Sequence, residues 1–166
     1  GNLTSRDTGD NINFLAHFND NVINERDGKA GTVTGSASYG AAKFNNGLQL
    51  GTNSYVSYSA SGNFNRNRGT IEFWLPGSNR CTTCATQTVL DYTVDQSNYV
   101  RVKISQSVDV SFDYVVDNVQ YGGMMGTIGQ SGWQHVAFTW EPNNTEMYIN
   151  GEYVPSGDDT IPPFPI

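Results

Sequence analysis

Basic residues are scarce in this sequence. Nine Lys and Arg against 16 Asp and Glu leave a net charge of -7 and a pI near 4.5. Such a surface repels phosphate backbones, so nucleic acid is not an expected partner. It is compatible with neutral sugars, with cations and with plain solubility. No apolar run approaches the roughly 20 residues of a membrane-spanning helix, so membrane insertion is not expected. The opening residues Gly1 to Arg6 carry no signal-peptide core, and any targeting segment is expected to have been removed or to lie on another chain. Helical periodicity of ordinary length is absent as well. Only two cysteines occur, as Cys81-Thr82-Thr83-Cys84. A zinc site needs about four ligands, and neither a second CxxC nor a nearby His pair is present. The βαβ context of a redox CxxC is also missing. A local disulfide between Cys81 and Cys84 in an oxidising compartment is the leading expectation, with two free thiols as the alternative.

What is plentiful is Gly, with 18 residues, and aromatics, at 12%. At 166 residues the length suits one domain, and this composition suits an all-β domain with many turns. The most informative stretch is Trp133 to Val154. Val136, Phe138 and Trp140 alternate with Trp133, His135, Ala137 and Thr139, the period-2 pattern of a strand with one buried face. Pro142 breaks it. A second strand then runs into Asn150-Gly151, the pair that a type I′ hairpin turn selects because both central residues need positive φ. The same alternation recurs over Thr70–Leu75, Gln87–Val94, Asn98–Ile104 and Val108–Tyr114. In the third of these Val100, Val102 and Ile104 oppose Tyr99, Arg101 and Lys103. If successive strands are neighbours, Arg101 and Lys103 lie opposite Asp109, Ser111 and Asp113. Further strands are expected at Ile12–Phe18, Ser36–Tyr39, Gly47–Leu50 and Tyr55–Tyr58. Gly122–Gly126 reads as a flexible loop, and Ser59–Arg68 as a polar surface loop.

Four blocks carry a family resemblance. They are Leu15-Ala-His-Phe-Asn-Asp20, Ala42-Lys-Phe-Asn-Asn-Gly-Leu-Gln-Leu50, Gly69-Thr-Ile-Glu-Phe-Trp-Leu75, and the Trp133–Val154 strand pair with its Met-Tyr-Ile-Asn-Gly-Glu hairpin. In this order they resemble laminin-G-like domains of the concanavalin A-like lectin and glucanase superfamily. The resemblance implies an antiparallel β-sandwich of the jelly-roll type over residues 11–154. Residues 1–10 are then a linker or extension, and residues 155–166, with four prolines from Pro155 on, a tail. It also implies strands after the last hairpin. Either the sandwich lacks its last strands, or the tail or a neighbouring chain completes it. The expected core is Ile71, Phe73, Val100, Val102, Phe112, Val136, Phe138, Trp140 and Ile149.

The superfamily hosts enzymes, lectins and structural modules, so function has to come from a site. Its glucanases use a Glu-x-Asp-x-x-Glu strand, which places two carboxylates about 5 Å apart. No such spacing occurs here, and no nucleophile elbow or HExxH accompanies His17 or His135, so catalysis is not expected. The candidate ligand-binding residues are Glu72, Trp74, Tyr99, Arg101 and Asp113, whose alternation allows them to line one outward sheet face. The competing reading is a solvated face of cross-strand ion pairs. Phe64, Tyr92, Tyr114 and Tyr121 are candidates for recognition by loops. No obligatory cofactor is expected. Related modules often bind calcium, and Asp20, with Asn19, and Asp27 carry oxygens of suitable hardness. The leading expectation is a non-catalytic carbohydrate-binding or adhesion module, extracellular, on a cell surface or in a virion, with a glycan or cell-surface polysaccharide as partner. The alternative is a structural building block or decoration domain of an extracellular or phage assembly, finished by a neighbouring chain.

Overall fold

The computed structural model describes residues 12–65, 67–77, 86–105, 109–142 and 144–155. Every regular element among them is a strand, fourteen in number. The chain forms two compact units, Gly1–Phe64 and Asn65–Ile166.

The first unit is built from short strands in pairs. β1 (Ile23–Asn24) pairs with β2 (Lys29–Ala30), β3 (Thr32–Thr34) with β6 (Tyr55–Ser57), and β4 (Ala37–Ala41) with β5 (Asn46–Leu50), all antiparallel. Its most buried polar group, Asn24, is 1% exposed and acts as a junction. The Asn24 amide oxygen accepts from the Leu15 and Arg26 N–H groups, and its amide nitrogen donates to Asn63 Oδ1. This arrangement overturns the expected first strand. Ile12–Phe18 is not a strand, because Leu15 is bonded to a side chain and to the Glu25 N–H rather than to a ladder, and Phe18 and Asp20 take positive φ. His17 is accordingly exposed and bonds Glu25 at 2.6 Å.

The second unit holds the sandwich. One sheet has the order β11 (Val119–Thr127), β10 (Asp109–Val116), β9 (Asn98–Ser105), β8 (Thr86–Asp95). The other has the order β14 (Glu152–Val154), β13 (Asn144–Ile149), β12 (Trp133–Glu141), β7 (Gly69–Pro76). All their pairings are antiparallel. Strict alternation decides the inward faces: β9 is buried at Asn98, Val100, Val102 and Ile104 and half-buried between them. The sheets meet where Phe112 of β10 stacks on Phe138 of β12, with ring centroids 4.9 Å apart, and Phe73 of β7 lies 6.3 Å from Phe138. Val100, Val102, Phe112, Val136, Phe138 and Trp140 are buried as expected, whereas Ile71, Phe73 and Ile149 are half-buried. Burying such side chains contributes about 25 cal/mol per Å² of apolar surface, which is the main force holding the two sheets together.

Turn chemistry fixes the register. Asn150 and Gly151 both have positive φ, as their pairing demands. Asp117 and Asn118 have it too and close the β10–β11 hairpin. This corrects the reading of Gly122–Gly126 as a loop, since those residues lie within β11. The glycine there answers to crowding: a Cβ on Gly126 would stand 2.8 Å from Ile149 Cδ1 and 2.9 Å from Met147 Cε of the facing sheet.

Candidate functional site

Because Phe73, Phe112 and Phe138 point inward, their chain neighbours point out, and the sandwich presents two outer faces. The five residues expected to line one face divide between them. Tyr99, Arg101 and Asp113 lie outside β9 and β10, while Glu72 and Trp74 lie outside β7, in the other sheet. One surface therefore does not hold all five.

On the β8–β11 face, Asp113 sits opposite Arg101, and Ser111 opposite Lys103, the register expected from the sequence. The ions are engaged with each other. Arg101 Nε donates to Asp91 Oδ2 at 2.9 Å, and its guanidinium lies 4.0 Å from the centroid of the Tyr99 ring. Arg101 also reaches Thr93 Oγ1, whose hydroxyl donates to Asp91. Lys103 Nζ stands 2.5 Å from Asp113 Oδ2, and Gln120 Nε2 donates to Asp113 Oδ1. Every charged group named in the sequence reading has a partner within the face, which is the pattern of a cross-linked solvated surface.

The β7–β14 face has another character. Registers place Trp74 beside His135, and Glu72, Ala137, Tyr148 and Tyr153 in one row across β7, β12, β13 and β14. The rings of Trp74 and His135 are 5.1 Å apart, and those of Tyr148 and Tyr153 are 5.8 Å apart, edge to face. Trp74 is 39% and Tyr153 50% exposed. Between these pairs lies Ala137, only 8% exposed and covered by its larger neighbours. Adjacent strands are about 4.8 Å apart, so the backbones of Glu72 and Tyr148, on either side of Ala137, are roughly 10 Å from each other. His135 Nε2 is 3.5 Å from Glu72 Oε2. Tyr148 donates its hydroxyl to Glu146 Oε2 at 2.7 Å, and this bond, aided by partial burial, raises the phenol pKa above its ordinary value. The result is an open strip of aromatic rings bordered by carboxylate, imidazole and hydroxyl groups. Sequence reasoning named Trp74 and Glu72 but missed His135, Tyr148 and Tyr153, which share their face only through pairings that bring β7 against β12.

Of the four aromatics expected on loops, Phe64 lies outside the strands and the three tyrosines lie within them. Tyr92, Tyr114 and Tyr121 belong to β8, β10 and β11, and Tyr114 is 1% exposed, part of the core. Phe64 is half-buried. The pair Cys81 and Cys84 lies outside the described residues. In the first unit, the Asp20 carboxylate accepts from Asn46 Nδ2, and Asn19 Oδ1 is buried without a hydrogen-bond partner, an oxygen that suits calcium. Asp27 accepts the Lys29 N–H at 3.0 Å and faces the Lys29 ammonium at 3.5 Å. Among the described residues no three His, Cys, Asp or Glu side chains converge on a metal position.

A laminin-G family model, described as the Concanavalin A-like lectin/glucanases superfamily, matches residues 50–165. The chain belongs to this family, and its fold is the antiparallel jelly-roll β-sandwich that the four sequence blocks implied. Among solved structures it is similar to domain 4 of AbnA, a GH43 extracellular arabinanase from Geobacillus stearothermophilus, in complex with arabinotriose. The identity is 16% and the TM-score 0.66, over 92% of this chain and 77% of that one. A Bacillus licheniformis beta-glucanase aligns at 15% identity with a TM-score of 0.46, over 91% and 70% of the two chains. No curated protein matches the sequence.

Proposed function

We propose that this protein is a non-catalytic carbohydrate-binding module whose ligand lies across the outer face of β7, β12, β13 and β14. One observation carries the reading: Trp74, His135, Tyr148 and Tyr153 form an outward strip, with Trp74 and Tyr153 exposed and Glu72 and Glu146 at its borders. Sugars combine apolar C–H faces with hydroxyl edges, so flat rings flanked by acceptors are the chemistry that recognises them. The similar arabinanase domain was solved with arabinotriose, which supports a glycan as the ligand class here. Catalysis is not part of the proposal, because Glu72 and Glu146 stand on β7 and β13 with β12 between them rather than paired along one strand. The same reading gives the module an extracellular, cell-surface or virion setting, where polysaccharide is displayed.

The test is a glycan array probed with the folded protein, in calcium and in chelator. Selective binding that is lost in Trp74→Ala and retained in Arg101→Ala supports this face as the site. Selective binding lost in Arg101→Ala alone moves the site to the β8–β11 face, and a blank array removes the reading for the glycans printed. For calcium we propose the Asn19–Asp20 corner, where a bound ion would stabilise the first unit. Chelator is then expected to lower the melting temperature and leave glycan affinity unchanged.

A second reading, a structural block whose sheet a neighbouring chain completes, is favoured by β8. Among the described residues this ten-residue strand pairs only with β9, and Val89 and Val94 on it are exposed. Concentration-dependent dimerisation abolished by a proline at Val89 supports that reading.

A further inference from the structure

The charge on the aromatic strip narrows the ligand, on the assumption that the strip is the glycan site. Its outward positions are Thr70, Glu72, Trp74 and Pro76 on β7, with Trp133, His135, Ala137, Thr139 and Glu141 on β12. Asn144, Glu146 and Tyr148 on β13 and Tyr153 on β14 complete it. Three carboxylates stand among them and no Lys or Arg. The single imidazole, His135, is already 3.5 Å from Glu72. The opposite face shows that this is a local property, because Arg101 and Lys103 are there and held by Asp91 and Asp113.

We propose that the strip selects amino-bearing glycans, polymers whose sugar rings carry protonated amines, and refuses glycans carrying uronate, sulfate or phosphate. Two independent features converge on a cation. Exposed indole and phenol rings attract ammonium groups through their faces, an effect worth about 0.5–2 kcal/mol, or roughly two- to thirtyfold in affinity. Glu72 lies opposite Ala137 with its side chain 66% exposed, so an accessible carboxylate stands in the same row as the Tyr148 and Tyr153 rings. An amine on a sugar laid along this row has the Glu72 carboxylate and the Tyr148 ring within the same row to meet it. A sulfate or carboxylate in the same row meets Glu72 with no Lys or Arg beside it, and like charges at such range cost affinity.

Paired oligosaccharides test this directly. A fully deacetylated glucosamine hexamer and its N-acetylated counterpart are titrated calorimetrically into the protein at one mildly acidic pH, with oligogalacturonate as the anionic comparison. The expected result is at least tenfold tighter binding of the amino hexamer, narrowed to within threefold in Glu72→Gln, and no binding of oligogalacturonate. General attraction of a polycation to a protein of net charge -7 would survive Trp74→Ala, which leaves that charge unchanged. Survival there overturns the proposal. Equal or tighter binding of the acetylated hexamer, lost in Trp74→Ala, overturns the charge selectivity while the carbohydrate reading stands. If neither hexamer binds and the glycan array is blank, both fall.

Discussion

Phe138 is the side chain through which the two sheets hold each other, and its truncation has a calculable cost. It is fully buried, stacks on Phe112 at 4.9 Å and 17°, and lies 6.3 Å from Phe73. Its register partners on the inner face are Ile71 and Met147, so a cavity at Phe138 opens in the middle of the sandwich. An aromatic side chain buries about 150–250 Å², which at ~25 cal/mol per Å² is roughly 4–6 kcal/mol as an upper bound. Measured Phe→Ala changes in cores run at about 3–5 kcal/mol, so Phe138→Ala is expected to cost about 4 kcal/mol. Phe138→Leu keeps most of the volume and loses mainly the ring pairs, about 1–1.5 kcal/mol. Urea unfolding followed by tryptophan fluorescence reads both, because Trp140 is on the same strand with its indole N–H bonded to the Asn65 carbonyl. With an m-value of ~2 kcal/mol per M, the Ala variant shifts the midpoint down by about 2 M. A loss below about 1 kcal/mol in Phe138→Ala would refute the account of how the sheets are joined.

Three further outcomes follow from single contacts. Asn98 is 7% exposed, donates to both oxygens of Asp95 and accepts the Asp117 N–H, tying the β8–β9 turn to the β10–β11 turn; Asn98→Ala should cost about 1–3 kcal/mol in the same urea assay. Thr145 is fully buried and its hydroxyl has no partner, so Thr145→Val should raise stability, by about 1 kcal/mol, in thermal unfolding. Glu146 holds the Tyr148 hydroxyl and raises its pKa, so in Glu146→Gln the Tyr148 phenolate should appear at lower pH, nearer the ordinary value of ~10, by ultraviolet absorbance. Because the folded-state pKa is the higher one, the contribution of this group to stability is intact below that ordinary value and declines only in more alkaline solution.

Strands β7 to β10, β12 and β13 of the second unit were legible because their alternation is local. Val100, Val102 and Ile104 declare an inner face whatever lies beside them, and Asn150-Gly151 declares its turn. The neighbourhood of β9 and β10 was legible too, since consecutive strands pair by default and Arg101 does stand opposite Asp113. The candidate site was half legible for the same reason. Alternation says that Trp74 and Arg101 face outward, but each sheet has its own outside. Only the pairing of β7 with β12, some sixty residues apart, assigns Trp74 to a different surface from Arg101 and gives it His135, Tyr148 and Tyr153 as company. Two misreadings came from residues with more than one use. Glycines at 122–126 suggested a loop, whereas Gly126 answers to the side chains of the opposite sheet. The alternation of Ile12, Phe14 and Phe18 suggested a strand, but Asn24 takes the Leu15 N–H that a ladder would need.

The central claim is where the ligand sits, and chemical-shift mapping of the labelled protein during titration with an array-positive glycan reads it most directly. Perturbations should cluster at Glu72, Trp74, His135, Ala137, Tyr148 and Tyr153 and leave Tyr99, Arg101 and Asp113 unmoved. A cluster on Tyr99, Arg101 and Asp113, or within residues 12–64, would contradict the assignment of the aromatic strip as the binding face.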